Sequence, residues 1–285
     1  MSGLASKPNA SEKPAKFGDL GVRLISAAIL IALALASLYT GGASFVVFWL
    51  LTACAVNWEW QGLIGEPGRV ARATIGGVGL AMPACLTYVS LAAAGYASLL
   101  VLAVLVASAA PKNMRLWAFG GVVYSGTLVV VLILLRDSEM GGVAIAWLFA
   151  IVWGSDVFAY FGGRLLGGPK LWPRVSAGKT WSGTITGLLA GAFLGLATAE
   201  IGTKGAASGV AVFFVSAVAS AASQIGDLAE SAIKRRFGVK DSSRLIPGHG
   251  GVMDRIDGFI FAAAFAAALG AVRGLSSVAA GLFFW

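Results

Sequence analysis

The chain reads Asp227-Leu-Ala-Glu-Ser-Ala-Ile-Lys234-Arg-Arg236 and, after a polar loop, Pro247-Gly-His-Gly-Gly-Val-Met-Asp254-Arg-Ile-Asp257. Ionisable side chains are denser here than in any other stretch. Strongly apolar segments flank it, at 208–230 and 258–272. Because charge placed against a membrane is costly, so dense a cluster between two apolar segments indicates a functional site.

Composition indicates the class of protein. Hydrophobic residues make up 58% of the 285 positions and charged residues 12%, with a mean hydropathy of +0.85. An ordinary soluble domain carries roughly 25% charged residues. We therefore predict an all-α, polytopic integral membrane protein without a large soluble domain. Its chemistry must then be built from helix ends and short loops.

Apolar runs long enough to cross a bilayer recur along the chain, since a span needs about 20 residues. The fourth run is short, so eight or ten spans are also compatible with the pattern. We predict about nine transmembrane helices, at about 22–40, 43–63, 74–95, 97–110, 116–135, 142–161, 181–200, 208–230 and 258–272.

The distribution of lysine and arginine predicts the orientation, because cytoplasmic loops hold the excess of these residues. With alternate connections inside, 18 of the 21 fall on the side of the N-terminus, and only Arg136, Lys204 and Arg273 fall on the other. The N-terminus and the dense stretch are thus predicted to be cytoplasmic. The net charge of +8 then reflects contact with anionic lipid, and no nucleic-acid partner is expected.

Three regions follow from this layout. Residues 1–20 form a polar cytoplasmic tail that we expect to be disordered, 21–140 hold the N-terminal transmembrane helices, and 141–285 form the C-terminal transmembrane catalytic region. In the seventh span, glycines recur at every fourth position and share one helix face, which predicts close helix packing in lipid. These glycines are Gly183, Gly187, Gly191 and Gly195.

Polar residues at the end of the eighth span share one side of the helix. Asp227, Glu230 or Ser231, and Lys234 are spaced i, i+3 or i+4, and i+7. They predict a polar stripe that runs toward the cytoplasm.

A second stripe begins the ninth span, where Asp254 and Asp257 are three residues apart. Together with Asp227 they could converge on one point. Hard cations such as Mg²⁺ bind carboxylates together with substrate phosphates, so we predict a metal site. The alternative is that these aspartates only pair with neighbouring lysines and arginines, as surface charges often do.

The loop between the stripes carries the features of an anion site. Gly250 and Gly251 follow His249, the only histidine of the chain, and glycines let backbone N–H groups approach an anion closely. Basic residues surround this turn, which therefore predicts a phosphate cradle. They are Lys234, Arg235, Arg236, Lys240 and Arg255.

A second polar cluster lies between the sixth and seventh spans. Asp156 interrupts an apolar helix, and carboxylates inside a membrane usually face a cavity or a partner. Glu59, at the end of the second span, is equally compatible with a structural role and with a site role. The cluster itself consists of Asp156, Tyr160, Arg164, Ser176, Lys179 and Thr180.

The run from Ser231 to Asp257, with Lys-Arg, Lys-Asp and Pro-Gly-His-Gly-Gly-Val-Met-Asp-Arg-Ile-Asp at these spacings, resembles the signature of phosphatidate cytidylyltransferases, also called CDP-diacylglycerol synthases. The resemblance implies that CTP and phosphatidic acid give CDP-diacylglycerol and pyrophosphate, at the cytoplasmic side of the cell (inner) membrane. It implies Mg²⁺ held by Asp227, Asp254 and Asp257, allows for a second, monovalent cation, and makes a homodimer expected.

The resemblance also implies roles for individual residues. Lys234 would neutralise phosphate charge and act with the three aspartates in catalysis. The residues expected to bind substrate are Asp156, Arg164, Ser176, Lys179, Thr180, Glu230, Ser231, Arg235, Lys240, Asp241, His249, Gly250, Gly251 and Arg255. One departure is visible, because the family commonly has an acid where this chain has Ser182. That difference leaves the contacts of this loop open.

Parts of the sequence are also compatible with three other functions. Asp254-Arg-Ile-Asp-Gly258 imitates the start of the CDP-alcohol phosphatidyltransferase motif, but the Ala-Arg that should follow is absent. A CTP-dependent polyprenol kinase is a closer rival. A membrane transporter, with Asp156 and Asp227 coupling to ions, is the alternative from another class.

Overall fold

The computed structural model describes residues 17–137 and 140–285, with the backbone alone for 17–20. Of the residues that the structure describes, 78% are helical, which confirms the all-α prediction. The helices are α1 (Phe17–Thr40), α2 (Gly42–Ile64), α3 (Arg69–Gly79), α4 (Ala81–Tyr88), α5 (Ala92–Ser108), α6 (Arg115–Arg136), α7 (Gly141–Leu166), α8 (Trp181–Gly202), α9 (Gly209–Arg236), α10 (Met253–Arg273) and α11 (Ala280–Phe283). A 3₁₀ turn precedes α6 at Lys112–Met114.

Within the described residues, eight helical stretches are long and apolar enough to cross a membrane, and α3 and α4 count as one of them. The fourth predicted span is α5, which is apolar but only 17 residues long. A polytopic membrane protein is thus confirmed, and the counts of eight and nine differ by this helix. Residues 1–16 of the predicted tail lie outside the described part, and α1 begins at Phe17, before the predicted start.

Helix α6 lies at the centre of the bundle. It packs against α2, α4, α5, α7 and α10, and residues such as Val129 and Leu132 are fully buried. Helix α1, by contrast, exposes Leu24 and Ile25 and packs lightly on α2 and α7. Because lipid chains are as apolar as leucine, such exposure is expected of a peripheral span.

The glycine stripe lies where α8 packs between α7 and α9. A Cβ atom at Gly187 would be 2.7 Å from the Ser155 carbonyl oxygen of α7, and one at Gly191 would be 2.6 Å from the Ser220 hydroxyl of α9. Both distances are too short for any side chain. The predicted packing role of these glycines is confirmed.

A short hairpin, absent from the sequence-based prediction, connects α7 to α8. Strands β1 (Lys170–Trp172) and β2 (Ser176–Thr180) pair antiparallel. The hairpin leads directly into α8, where the Thr180 hydroxyl accepts a hydrogen bond from the Gly183 N–H at 3.1 Å. This N-cap fixes the start of α8 and the position of the hairpin.

Candidate active site

A cavity of about 770 Å³, here called the amphipathic cavity, opens between α1, α2, α7, α9, α10 and the loop before α10. Its apolar end is formed by residues such as Leu30, Trp49 and Phe149. Its polar end gathers most of the ionisable residues singled out from the sequence. These are Asp156, Asp227, Lys234, Asp241, His249, Asp254, Arg255 and Asp257.

A second cavity of about 640 Å³, here called the polar cavity, lies between α7, the hairpin, α8 and α9. Its ionisable and polar lining consists of Asp156, Tyr160, Arg164, Lys170, Ser176, Lys179, Thr180, Thr184, Gln224 and Asp227. Asp156 and Asp227 line both cavities. The predicted clusters from the two parts of the sequence therefore meet at these two carboxylates.

Asp227 projects from α9 at this junction. Its Oδ2 atom is 2.6 Å from the Lys179 ammonium at the end of the hairpin, and its Oδ1 atom is 3.5 Å from the Ser231 hydroxyl. The Asp227 side chain is 38% exposed, so the carboxylate remains accessible from the cavities. Lys179 also reaches the Gln224 carbonyl at 3.4 Å.

Asp254, in the first turn of α10, is held by many donors. Its Oδ1 atom accepts from Lys234 at 2.7 Å, and its Oδ2 atom accepts from the Gly251 N–H at 2.8 Å and the Ser242 hydroxyl at 3.1 Å. The Ser242 N–H also points to this carboxylate. The side chain is only 6% exposed. Asp254 therefore fixes the loop before α10 onto the helix start.

Asp257 lies one helical turn beyond Asp254. Among the described residues, its carboxylate accepts one hydrogen bond, from the N–H of Gly258 at 2.8 Å. The remaining capacity of the carboxylate faces the amphipathic cavity. Asp257 is thus the less engaged of the two α10 aspartates.

The predicted metal ligands are oxygen donors on one wall of the amphipathic cavity, and their metal role stays a prediction. Asp227, Asp254 and Asp257 all line the amphipathic cavity. Across residues 17–137 and 140–285, however, no three acidic, histidine or cysteine side chains lie close enough together to hold a metal by themselves. Mg²⁺ typically takes one or two carboxylates and completes its shell with phosphates and water. The hard oxygen donors on this wall match that requirement.

Lys234 lies between two carboxylates. Its ammonium is 2.6 Å from Glu230 and 2.7 Å from Asp254, and the side chain is 12% exposed. Glu230 is fully buried beneath it, one helical turn earlier on α9. Lys234 therefore compensates buried negative charge and presents its remaining surface to the amphipathic cavity.

The Gly-His-Gly-Gly turn is compact, and several of its backbone groups form hydrogen bonds inside the protein. Ile246 and Gly250 form a bridge, and Gly250 has a φ of +87°, which favours glycine. The N–H of Gly251 points to Asp254, so this donor of the predicted phosphate cradle is used inside the protein. The predicted role of Gly250 and Gly251 in binding substrate stays a prediction.

His249 contacts helix α1 through its ring. Its Nδ1 atom is 2.9 Å from the Ser26 hydroxyl, and its carbonyl accepts from Arg255 at 2.8 Å. Burial and the positive charges of Arg255 and Arg23 lower the pKa of His249 below its usual value. The imidazole is therefore neutral at pH 7.

Six of the predicted substrate-binding residues are not among the described residues that line the two cavities: Glu230, Ser231, Arg235, Lys240, Gly250 and Gly251. Arg235 donates to the Val239 carbonyl at 3.0 Å, and Lys240 is exposed on the loop. Their substrate roles remain predictions.

Lys170 and Gln224, in contrast, line the polar cavity without having been predicted. Gln224 precedes Asp227 by three residues, so the helical spacing itself could have identified it.

Ser182, where the family commonly has an acid, lies at the start of α8. Its hydroxyl donates to the Gly167 carbonyl and is 3.1 Å from the Thr180 hydroxyl. In this chain the position therefore joins the end of α7 to the start of α8.

Comparison with known proteins decides the family. The model of the Cytidylyltransferase family matches residues 21–272. This chain belongs to the cytidylyltransferase family. A phosphatidate cytidylyltransferase of Brucella abortus biovar 1 (strain 9-941) is 40% identical over 273 residues, covering 93% of this chain and 98% of the relative. One from Pseudomonas aeruginosa is 36% identical over 262 residues, covering 87% and 95%. The resemblance seen in the sequence is confirmed, and the site described above belongs to a cytidylyltransferase.

Proposed function

We propose that this cytidylyltransferase transfers CMP from CTP to phosphatidic acid, giving CDP-diacylglycerol and pyrophosphate. The observation that carries the proposal is the meeting of an amphipathic cavity and a polar, basic cavity at Asp156 and Asp227. Two adjoining cavities of this kind can hold a lipid and a water-soluble nucleotide with their phosphates close together. The family and the names of the relatives support the same reaction.

Phosphatidic acid fits the amphipathic cavity. Its acyl chains would extend along the apolar wall near Trp49 and Phe149, which opens beside the lightly packed helix α1. Its phosphate would lie at the polar end, where Arg255 and Lys234 offset negative charge. The change from apolar to charged lining along one cavity thus matches the lipid from tail to headgroup.

CTP fits the polar cavity. Lys170, Lys179 and Arg164 supply positive charge for a triphosphate, and hydroxyl groups such as that of Ser176 supply hydrogen bonds. A nucleotide bound there would bring its α-phosphate to the junction at Asp227. The lysine at the junction, Lys179, then offsets charge that moves onto the leaving pyrophosphate.

The reaction needs little proton transfer from the protein. An oxygen of the phosphatidic acid phosphate attacks the α-phosphorus of CTP, a new P–O bond forms, and the bond to the oxygen bridging the α- and β-phosphates breaks. Pyrophosphate leaves with that electron pair. Since a phosphate monoester has a second pKa of about 6, the attacking oxygen is ionised at neutral pH.

Mg²⁺ is part of the proposal, with Asp227 and Asp257 as its more accessible protein ligands and Asp254 beside them. A bound ion would supply positive charge to offset that of the phosphates. These three aspartates would hold it at the polar end of the amphipathic cavity, where Asp227 also borders the polar cavity. A second, monovalent cation and a homodimer, both implied by the family resemblance, are further parts of the proposal.

We also propose that the site faces the cytoplasm at the cell (inner) membrane. Lysines and arginines are concentrated on the connections that belong to the site side, including the hairpin and the loop before α10. This asymmetry is the one that orients membrane proteins. CTP would then reach the polar cavity from the cytoplasm.

The decisive experiment follows label from CTP into lipid with purified protein in detergent, phosphatidic acid and Mg²⁺. Label from the α-phosphate must enter the lipid product, whereas a polyprenol kinase would transfer label from the γ-phosphate. Asp227→Ala should abolish the transfer, and Asp137→Ala, an exposed aspartate at the other end of the bundle, should not. Uptake of a solute into proteoliposomes without CTP turnover would instead favour the transporter.

A further inference from the structure

Glu59 connects α2 to the loop that holds the α10 aspartates. It lies near the end of α2 and is 1% exposed. Its carboxylate accepts hydrogen bonds from the N–H groups of Val252 at 2.8 Å and Met253 at 2.7 Å. The Ser243 hydroxyl donates to it at 2.6 Å, and the Ser242 hydroxyl, which Glu59 shares with Asp254, lies at 3.2 Å. All four donors come from residues about 190 positions further along the chain.

The backbone donors belong to the start of α10. The first N–H groups of a helix have no intrahelical partner, and a helix N-terminus favours negative charge. No lysine or arginine of the described chain forms an ion pair with Glu59. The Glu59 charge is therefore compensated by the end of α10 and by two serine hydroxyls.

Gly251 leaves the space that Glu59 occupies. It does not share the positive φ of Gly250, so backbone conformation does not explain this glycine. A Cβ atom at position 251 would be 2.8 Å from Glu59 Oε1 and 2.9 Å from Glu59 Oε2, and it would also overlap the Ser242 hydroxyl. The second glycine of the Gly-Gly pair thus admits a carboxylate from α2.

Ser242 connects Glu59 to Asp254, one of the aspartates that line the amphipathic cavity. Its hydroxyl is 3.2 Å from Glu59 and 3.1 Å from Asp254 Oδ2, so it lies between the two carboxylates. A shift of the helix start would move Asp254 directly. It would also rotate Asp257, which lies one turn further along the same helix.

We propose that Glu59 is a positioning residue of the transferase site: by binding the N-terminus of α10 and the two serines, it sets where Asp254 and Asp257 face the cavity. The inference rests on the proposed CMP transfer for its kinetic part. Its structural part concerns only the attachment of α10 to α2.

The test compares Glu59→Gln with Glu66→Gln in the purified full-length protein. Glu66 is exposed in the loop after α2, and among the described residues its carboxylate accepts a hydrogen bond from the Arg69 N–H of α3 and none from α10, so it controls for the same chemical change. Hydrogen exchange is measured for peptides covering 240–256 and, as an internal reference, for α6. Kinetics give kcat, the KM for CTP and the Mg²⁺ concentration for half-maximal rate.

Glu59→Gln should accelerate exchange in 240–256 at least about tenfold while α6 keeps its protection, because hydrogen bonds to a charged acceptor are lost. It should lower kcat by about tenfold or more and raise the Mg²⁺ requirement, with the KM for CTP changed less than about threefold. Glu66→Gln should match the wild type in every measurement.

Two results would overturn the proposal. One is wild-type exchange and kcat in Glu59→Gln. The other is a purely structural pattern, in which less protein folds but the folded fraction keeps its kcat and Mg²⁺ requirement. If Glu59→Gln does not fold, Ser243→Ala removes only one donor and must change exchange and kcat in the same directions. If the wild type transfers no CMP, the proposed function fails, while the exchange data still decide the attachment of α10.

Discussion

The ammonium of Lys179 lies 2.6 Å from the carboxylate of Asp227, where the polar cavity meets the amphipathic cavity. The two residues come from the hairpin before α8 and from the start of the polar stripe on α9. A cationic side chain thus faces this carboxylate directly. When a triphosphate enters the polar cavity, it offers Lys179 a more highly charged partner and leaves Asp227 available.

Lys179→Met should impair the use of CTP more than the stability of the protein. The side chains of the pair are 22% and 38% exposed, so the ion pair itself contributes less than about 1 kcal/mol to folding. The loss of a charged donor to the triphosphate should lower kcat/KM for CTP by about 10- to 100-fold. Lys112→Met, at an exposed lysine before α6, is the control. Equal kinetics in the two variants would contradict the assignment of CTP to the polar cavity.

Gly191→Ala should destabilise the bundle. The new Cβ atom would lie 2.6 Å from the Ser220 hydroxyl, so α8 and α9 would have to separate. Overpacking of this kind costs about 1–3 kcal/mol. Gly142→Ala in α7, where no atom lies within 4 Å of the added carbon, is the matched control and should leave stability unchanged or slightly raised. Thermal unfolding in detergent measures both, and equal midpoints would refute the packing role.

The sequence predicted the helices well because each transmembrane helix needs a long run of apolar residues, which is visible in the sequence. Apolar runs identified every span, and the spacing of Asp227 and Lys234 placed both on the cavity side of α9. The fourth-residue repeat of glycine likewise predicted the face of α8 that packs. These features depend on the spacing of residues within one helix, and that spacing can be determined from the sequence.

Contacts between segments far apart in the chain could not be predicted from residue spacing. Glu59 was as compatible with a structural role as with a site role, because nothing local indicates that its partners are Val252 and Met253. The hairpin at 170–180 was also missed, since strands of three and five residues are too short for a periodic pattern. The donors around Asp254 depend on the path of the loop before α10, which spacing does not determine.

The pH dependence of activity above pH 7 should be independent of His249. Its pKa lies below the usual value of about 6.5, because burial and nearby arginines disfavour the charged ring. The ring is then neutral throughout pH 7–9 and has no proton to lose there. His249→Gln should lower activity by less than about tenfold, the effect of one neutral hydrogen bond to Ser26. An inflection near pH 7 that disappears in the variant would contradict this.

Lys234→Met should destabilise the protein strongly. The Lys234 ammonium contacts the carboxylates of both Glu230 and Asp254, at 2.6 and 2.7 Å, and Glu230 is 1% exposed. Removing one member of a buried ionic group typically costs about 3–5 kcal/mol, because the remaining charge is left without compensation. Chemical or thermal unfolding in detergent should show this loss, and a change below about 1 kcal/mol would mean that the buried charges are compensated elsewhere.

A second substitution separates the stability of this group from its part in the reaction. Lys234→Met combined with Glu230→Gln removes the uncompensated carboxylate, so we expect it to recover part of the lost stability. CMP transfer should nevertheless remain low, because the double variant still lacks the cation that faces the phosphate of the lipid and holds Asp254. Recovery of both stability and activity would show that Lys234 serves only to neutralise Glu230, and its catalytic assignment would then be wrong.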